Sequence, residues 1–543
     1  MERKIQLLDC TLRDGAYVVD GKFGDAAIKG IIKKLKDAKV EIIECGWLKD
    51  LDHQNDYSYF HFPKELEPYI GEKKDGTTYV AMIDYNRYDV SKLPLYDGKS
   101  IDAIRVVFPY GKAKEGLSVA KEIKKKGYQV YLQLANTLAY SDDDLKQIAH
   151  EINEVLPHAV SIVDTFGAMY EEDLERIVYV LDYELNQTIQ LGFHSHNNQQ
   201  LSFSLITHFL DYARNKERSL IVDTSLCGMG RGAGNAATEL VCNYLNIKRD
   251  CNYDMDIIMD AIDMYMSLYQ EKYEWGYSTP YFIAGMYCCH VNNIAYLQKN
   301  HRTNARDMRN IIQSMDAEDR KKYDYDLLEE KYTLNQNRIV DDDGTMDYLR
   351  AEFKHRKILL LAPGKTIITQ KQKVQNYIKE NNPIVISINA LNENYDCDYL
   401  FLISAVRYDY AKEVHSEQFQ NTKKILLSCI KTKAEKDELI VNFSRVVKYG
   451  WEHFDNAVIT CLRLMDKLHV NHVAIAGFDE FLSEYNESYA DVNLPTVNPD
   501  NQWEALNAEI MSMFDDFKRH VKHTVEIEFV TDSIFDKGKD KES

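Results

Sequence analysis

Ten cysteines are spread through 543 residues with no CxxC pair and no histidine partners at zinc-finger spacing. That excludes a disulfide-stapled secreted scaffold and a zinc ribbon, and it fits reduced thiols in a reducing compartment. The adjacent Cys288 and Cys289 read as packing residues. Positive charge is also short: 66 Lys and Arg against 86 Asp and Glu leave a formal net charge of -20. Such a balance argues against nucleic-acid binding through a basic surface and predicts repulsion from anionic membranes. No apolar run approaches the ~20 residues that span a bilayer, and Met1 to Leu8 is charged, then only briefly apolar, unlike a secretory signal. The expectation is a cytoplasmic protein with a small-molecule partner, no nucleic acid and no membrane.

What is present is ordinary for a folding chain, with 45% hydrophobic and 28% charged residues. The length exceeds what one core usually supports, so two domains are expected. Over the first 245 residues, short β-branched or apolar runs alternate with segments of helical periodicity, the pattern of βα units on a parallel sheet. Eight strands are predicted: Gln6 to Asp9, Ile42 to Cys45, Thr78 to Ile83, Ala103 to Phe108, Gln129 to Leu134, Ala159 to Val163, Gln190 to His194 and Leu220 to Ser225. Helices such as Ala26 to Ala38 and Asp142 to Val155 lie between them. Eight such repeats in about 250 residues is the size of a closed (β/α)₈ barrel.

Helices are expected at Met255 to Leu268 and Pro280 to Leu297, then a charged helical stretch to about Leu334 and a polar linker from Asn335 to Thr345. Alternation resumes with strands at Ile358 to Leu361, Ile384 to Ile388, Tyr399 to Ile403, Lys424 to Leu427 and His472 to Ala476. The expected organisation is α/β throughout: a TIM barrel over residues 1–300, a helical extension and linker over 301–350, a smaller open α/β (Rossmann-like) domain over 351–535, and a charged tail over 536–543.

Three segments carry the candidate chemistry. The seventh strand ends Gly192-Phe193-His194-Ser195-His196-Asn197-Asn198. Residues i and i+2 of a strand share a face, so His194 and His196 can present two imidazoles at the carboxyl end of the barrel, where such folds keep their active sites. Paired histidines also occur as plain surface residues. The first strand ends Asp9-Cys10-Thr11-Leu12-Arg13-Asp14-Gly15, two strands away around a closed ring of eight. Asp14 can complete a two-His, one-carboxylate set suited to Mg²⁺, Mn²⁺, Fe²⁺ or Zn²⁺ with open positions. Arg13 can neutralise charge developing on an oxyanion; alternatively, Arg13 and Asp14 simply pair with each other. After the eighth strand, Cys227-Gly228-Met229-Gly230-Arg231-Gly232-Ala233-Gly234-Asn235 lets backbone amides approach an anionic group, with Gly230 and Gly232 as candidate substrate contacts. Its spacing is not GxGxxG, and a purely structural turn is the other reading. Asp164, at the end of the sixth strand, is a candidate pocket residue, whereas Thr165, Glu44 and Gln133 read equally well as structural hydrogen-bonding groups.

Taken in order, LLDCTLRDG, IIECGW, IVDTFGAM, GFHSHNN and CGMGRGAGNAATE resemble the metal-dependent aldolase and acyltransferase barrels, a family that includes 4-hydroxy-2-oxovalerate aldolase, hydroxymethylglutaryl-CoA lyase and isopropylmalate synthase. The likeness runs from about Ile5 to Leu297 and is nearest to the hydroxy-oxovalerate aldolases. It implies that Asp14, His194 and His196 bind a divalent metal, Mn²⁺ or Mg²⁺ before Zn²⁺, with Asn235 as a further ligand. It also implies that Arg13 stabilises a pyruvate-type enolate during a reversible aldol step on a 2-oxo acid. The partner would be an aldehyde or, in a Claisen-type acyltransferase, an acyl-CoA; a non-catalytic binding barrel is the third reading. By the same likeness Tyr287 resembles a substrate-pocket tyrosine and a homo-oligomer is expected. The sequence departs from the aldolases at Tyr17, where they carry a histidine base, and a phenol of ordinary pKa is a poor base at neutral pH.

The second domain is less legible. Ala362-Pro363-Gly364-Lys365-Thr366 follows a strand, but the first glycine of a P-loop would fall on Leu359. The run ILLLAPG, VISIN, YLFLIS and HVAIAGFDEF resembles open-sheet domains that bind a nucleotide or activated sugar, which would put Gly364 and Asn389 near the ligand. An assembly domain without catalysis is the other expectation.

Overall fold

A computed structural model describes all residues except 1–4, 74–75, 213–216, 301–302, 337–338, 431–437, 452–455, 497–501, 525 and 537–543. The chain divides into two compact units, residues 1–291 with 320–322, and 292–319 with 323–543. The helices of the expected extension, Ala305–Ser314 and Tyr325–Gln336, fall in the second unit.

The first unit is built on eight parallel strands: β1 (Ile5–Asp9), β2 (Ile42–Leu48), β3 (Thr78–Asp84), β4 (Ala103–Pro109), β5 (Gln129–Ala135), β6 (Ala159–Asp164), β7 (Gln190–Ser195) and β8 (Leu220–Thr224). Each pairs with its neighbour, β8 pairs with β1, and β1 pairs with β2 through Leu8↔Ile42 and Asp9↔Ile43, so the sheet closes on itself. This is the expected (β/α)₈ barrel, with a two-residue strand, Tyr59–Phe60, added outside β2.

The alternation of strand side chains decides what fills it. One face of each strand packs outward against helices such as Asp25–Asp37 and Asp142–Val155, through residues including Leu7, Ile43, Ile104 and Phe193. The other face points into the barrel, where Leu8, Ile42, Val80, Ala103, Tyr131, Ala159 and Ile221 form an apolar floor. Two residues further along the same strands the interior turns polar, with Glu44, Arg105, Gln133, Ser161 and Asp223 all buried.

Arg105 organises that polar layer. It is fully buried, and its Nη1 donates to Glu44 Oε2 at 2.7 Å. Its Nη2 donates to Gln133 Oε1 at 2.8 Å and to Asp223 Oδ2. Gln133 Nε2 in turn donates to Ser161 Oγ at 3.0 Å. One guanidinium therefore ties β2, β4, β5 and β8 together from inside.

Some expectations need correction. The helix expected over Pro280 to Leu297 is two helices, Thr279–Met286 and Val291–Asn300, separated where Cys288 adopts φ 49°. Met255 to Leu268 is helical as expected but widened at Ile262–Met266 into a π segment. Asp342, expected in a solvated linker, is buried and accepts from Asn442 N and Arg445 Nε, each at 2.8 Å. Of the expected charged tail, the described residues end at Asp536.

The second unit holds a seven-stranded, all-parallel sheet: β9 (Ile358–Leu361), β10 (Ile384–Ile388), β11 (Tyr399–Leu402), β12 (Lys423–Leu427), β13 (Glu438–Val441), β14 (His472–Ala476) and β15 (Glu526–Phe529). Its order is β13-β12-β11-β10-β9-β14-β15, a doubly wound arrangement whose strand order reverses between β9 and β14. Two strands absent from the sequence reading, β13 and β15, are its two edges. Edge strands are half exposed, and segments such as Glu526-Ile527-Glu528-Phe529 carry no apolar run to mark them. Among the described residues, no helix is long and apolar enough to cross a membrane.

Replacing Arg105 with Met should destabilise the barrel by about 3–5 kcal/mol, because Glu44 and Asp223 would lose their shared buried partner. Chemical denaturation followed through the barrel's tryptophans checks this; a change below about 1 kcal/mol would mean that the two carboxylates do not depend on Arg105.

Candidate metal centre

The loops at the carboxyl ends of β1, β7 and β8 assemble one site. After β1 the chain turns at once into a short helix, Thr11–Asp14, set by Asp9, whose Oδ1 accepts from Thr11 N at 2.9 Å. Asp9 Oδ2 accepts from Thr238 Oγ1 at 2.6 Å, tying this turn to the chain that follows β8. Arg13 and Asp14 are thereby buried in the barrel mouth, at 4% and 1% exposure. Arg13 Nη1 donates to Asp14 Oδ1 at 2.5 Å and Arg13 Nε to Glu44 Oε2 at 2.8 Å. Trp47 Nε1 fixes the Arg13 carbonyl at 3.1 Å, and its ring lies 5.8 Å from the guanidinium. Arg13 and Asp14 do pair, as the simpler reading held, but they do so inside the polar layer and beside the two histidines.

His194 ends β7 and His196 follows it, their rings perpendicular and 5.0 Å apart. His196 Nδ1 lies 2.9 Å from the Asp164 carbonyl, which fixes it as the protonated nitrogen and leaves Nε2, 3.6 Å from Asp14 Oδ2, with a free lone pair. His194 Nδ1 lies 3.0 Å from Asp223 Oδ2. One ligand atom from each of Asp14, His194 and His196 falls within 4.8 Å of the others. Burial pulls the His196 pKa down to about 4, so its imidazole is neutral at pH 7, as a ligand must be. Burial alone would raise the Asp14 pKa, but Arg13 and the two histidines outweigh it and hold the carboxylate well below its usual range.

The Gly-rich segment closes the site from above. Asn235 Nδ2 donates to Asp14 Oδ2 at 2.7 Å, while its Oδ1 is buried without a hydrogen-bond partner. A Cβ on Gly230 would lie 2.6 Å from Asp14 Oδ2 and 2.5 Å from Asn235 Nδ2, so only glycine leaves this cradle open. An orphaned amide oxygen, two imidazoles and a strongly acidic carboxylate are the donor set of a divalent cation, and they fit one here.

Other expected residues are placed differently. The Asp164 carboxylate does not open to the mouth; it accepts from the Ala168 and Met169 amides at 2.9 and 3.2 Å and holds the turn after β6. That burial raises its pKa to about 7. Gly232, at φ 66°, packs against Asn198, whose Oδ1 accepts from Ala233 N at 2.9 Å. Asn198 thus shapes the loop, a role the sequence did not suggest. Tyr17 is 46% exposed at the rim, with the Arg231 guanidinium 4.9 Å from its ring. Desolvation raises its pKa, and Arg231 only partly opposes this. Arg231 Nη2 also meets His290 Nε2 at 2.8 Å. Tyr287 packs its ring beneath Arg320, 5.2 Å away. Glu44 and Gln133, read as structural, are partners of Arg105; Arg105 and Asp223 went unnoticed, although a lone charge in AIRVVFP and in LIVDTS is itself the sign of a polar barrel interior.

A closed parallel barrel with two histidines and a carboxylate at its carboxyl mouth defines the class, a metal-site (β/α)₈ barrel. Within that class, residues 111–264 match the HMGL-like family model. Over 265 residues the chain is 25% identical to an oxaloacetate decarboxylase of Mycobacterium tuberculosis, covering 47% of this chain and 74% of that one. It is 27% identical to a 4-hydroxy-2-oxovalerate aldolase of Thermomicrobium roseum over 48% of this chain and 71% of that one. Among solved structures, the HMG-CoA lyase of Brucella melitensis superposes at TM-score 0.39 and 16% identity, over 49% of this chain and 99% of that one. The resemblance read from the sequence is thus supported by the family model and by the two sequence relatives.

Two variants test the site by metal binding alone. Asp223→Asn should weaken Mn²⁺ binding about 10- to 100-fold by removing the negative charge 3.0 Å from His194 Nδ1, and Gly230→Ala should weaken it by crowding Asp14. Calorimetric titration of Mn²⁺ that finds wild-type affinity in both would separate Asp14, His194 and His196 from any metal role.

Proposed function

We propose that the barrel is a metal-dependent carbon–carbon lyase that makes or breaks a bond next to a 2-oxo acid through a pyruvate-type enolate. The observation that carries this reading is the buried set Asp14, His194 and His196 with Arg13 hydrogen-bonded to Asp14. Folding alone has no need of two buried imidazoles beside a strongly acidic carboxylate. Relatives named as an aldolase and as a decarboxylase of 2-oxo acids point the same way. Asp14, His194, His196 and Asn235 would hold a divalent cation, Mn²⁺ or Mg²⁺, which when bound polarises the 2-oxo group as a Lewis acid.

The chain's own residues do the rest. Arg13, kept cationic by Glu44 and Asp14, faces negative charge as it grows on the enolate oxygen. Arg231, at the rim beside Tyr17, is placed to take the substrate carboxylate, and the amides around Gly230 and Gly232 admit it closely. Tyr17 keeps its proton at neutral pH because desolvation raises its pKa, so it serves as a proton donor to the enolate carbon and not as the base.

That assignment favours one finer reading over another. Aldol cleavage needs a base to take the hydroxyl proton of the leaving carbon. Loss of CO₂ from a 3-carboxylated 2-oxo acid needs none: the carboxylate electron pair forms the new C=O, the C–C pair becomes the enolate, and only a proton donor is required afterwards. The donor is what Tyr17 offers, so oxaloacetate-type decarboxylation is the second reading. A Claisen-type acyl transfer is the third and has no feature of the site in its favour.

Proton exchange at the pyruvate methyl group, followed by NMR in D₂O with Mg²⁺, tests the enolate. Exchange should need the metal, vanish in His194→Ala and fall roughly a hundredfold in Tyr17→Phe. Because the group that protonates the enolate carbon takes the methyl proton as its conjugate base, wild-type exchange should rise with pH through the neutral range and go on rising beyond pH 10, since the Tyr17 pKa lies above the usual value of 10.0. Absence of exchange with either Mg²⁺ or Mn²⁺ would remove the reading. Release of CO₂ from oxaloacetate against aldehyde from 4-hydroxy-2-oxovalerate then decides between decarboxylase and aldolase.

A further inference from the structure

The second unit carries a cavity of about 160 Å³ that has nothing to do with the barrel chemistry. It lies at the carboxyl edge of the sheet, against the loops that follow β9, β10, β11 and β14, beside the point where strand order reverses. Open α/β sheets bind ligands at this position because the loops on its two sides leave in opposite directions.

The chemistry of the wall says what would fit. Arg407 lines the cavity, is 8% exposed, and its Nη1 has no hydrogen-bond partner. Burial pulls the Arg407 pKa below the usual arginine value, and although Tyr489 and the charge of Asp491 partly offset that cost, a buried guanidinium nitrogen left without a hydrogen bond is costly. The carboxylates nearby are engaged or distant: Asp491 accepts from Tyr410 Oη at 2.7 Å, Asp479 from Thr366 N at 2.7 Å, and Asp307 from Asn304 Nδ2 at 2.7 Å. Glu480 is exposed at the rim. Arg407 also stands in the first turn of the ten-residue helix Ala405–Val414, whose N-cap, Ser404, makes no side-chain capping bond. Amides without a side-chain cap, the positive end of the helix and an unpartnered guanidinium nitrogen therefore converge on one spot.

The other half of the wall is aromatic. Tyr489 lies 4.9 Å beneath the Arg407 guanidinium, Phe481 meets Tyr489 at 6.0 Å and 76°, and Phe478 and Phe443 complete the surface. We propose that this cavity binds a phosphorylated small molecule of nucleotide chemistry, its phosphates on Arg407 and the first turn of Ala405–Val414 and its base against the aromatic wall.

The test is calorimetric titration of the full-length chain, kept free of divalent metal so that the barrel site does not contribute. The probes are ADP, CDP and UDP, with inorganic phosphate and glucose 6-phosphate as competitors lacking a base. At least one nucleoside diphosphate should bind about tenfold tighter than either competitor, and Arg407→Met should weaken it about tenfold or more. Ser404→Asp provides the second variant: its carboxylate caps the helix, so the protein stays folded in thermal denaturation, yet it fills the anion position and should abolish binding. No binding below about 1 mM, no preference over inorganic phosphate, or wild-type affinity in both variants would overturn the proposal.

Discussion

Arg105 has no surface in contact with solvent, and its two terminal nitrogens reach Glu44, Gln133 and Asp223 on three other strands. Two of those partners, Glu44 and Asp223, then reach a residue of the site. Glu44 Oε2 also receives Arg13 Nε, which sets the guanidinium that holds Asp14. Asp223 Oδ2 stands 3.0 Å from His194 Nδ1. The geometry of the barrel mouth thus hangs on a charge one layer below it, and the reason is dielectric. A buried arginine holds its carboxylates rigidly because no water competes for them.

The charges in this layer do not cancel among themselves. Arg13 and Arg105 carry two formal positive charges, and Asp14, Glu44 and Asp223 carry three negative ones. The surplus of one negative charge sits next to the neutral imidazole of His196 and to His194. A site with that balance is destabilised by burial until a cation arrives, which explains how a low-dielectric pocket can favour a divalent ion over a protonated carboxylate. It also explains why Arg13 leaves Asp14 Oδ2 to the histidines and Asn235: it binds the other oxygen, Oδ1.

Much of this was legible in the sequence because strand geometry is nearly rigid. A period of two put His194 and His196 on one face, and eight apolar runs of even spacing gave the closed ring that brings Asp14 to them. Failures came where the deciding fact was three-dimensional. Asp164 looked like a pocket carboxylate from its place at a strand end, but the turn after β6 needed an acceptor for Ala168 and Met169. Tyr17 invited the idea of a tuned base, and only its desolvated place at the rim shows the shift to be upward. The edge strand β15, where Glu526 and Glu528 alternate with Ile527 and Phe529, escaped because a strand paired on one side does not have to be apolar on both faces, whereas β13 has only the three-residue apolar run Leu439-Ile440-Val441 to mark it.

The two units meet the same geometric problem with different side chains. In a parallel sheet every strand ends at one edge, so the loops there collect residues that are distant in sequence, as Asp14 and Asn235 are in the barrel. Closing the sheet makes the interior of that edge a buried well, and charges placed in it must be paired from below, which Arg105 does. Leaving the sheet open gives a cleft instead, and the charge placed there, Arg407, has an aromatic ring beneath it and no carboxylate on Nη1. A barrel can therefore pair its buried arginines from its own strands, whereas an open sheet leaves a guanidinium nitrogen facing the cleft, where an entering anion can meet it.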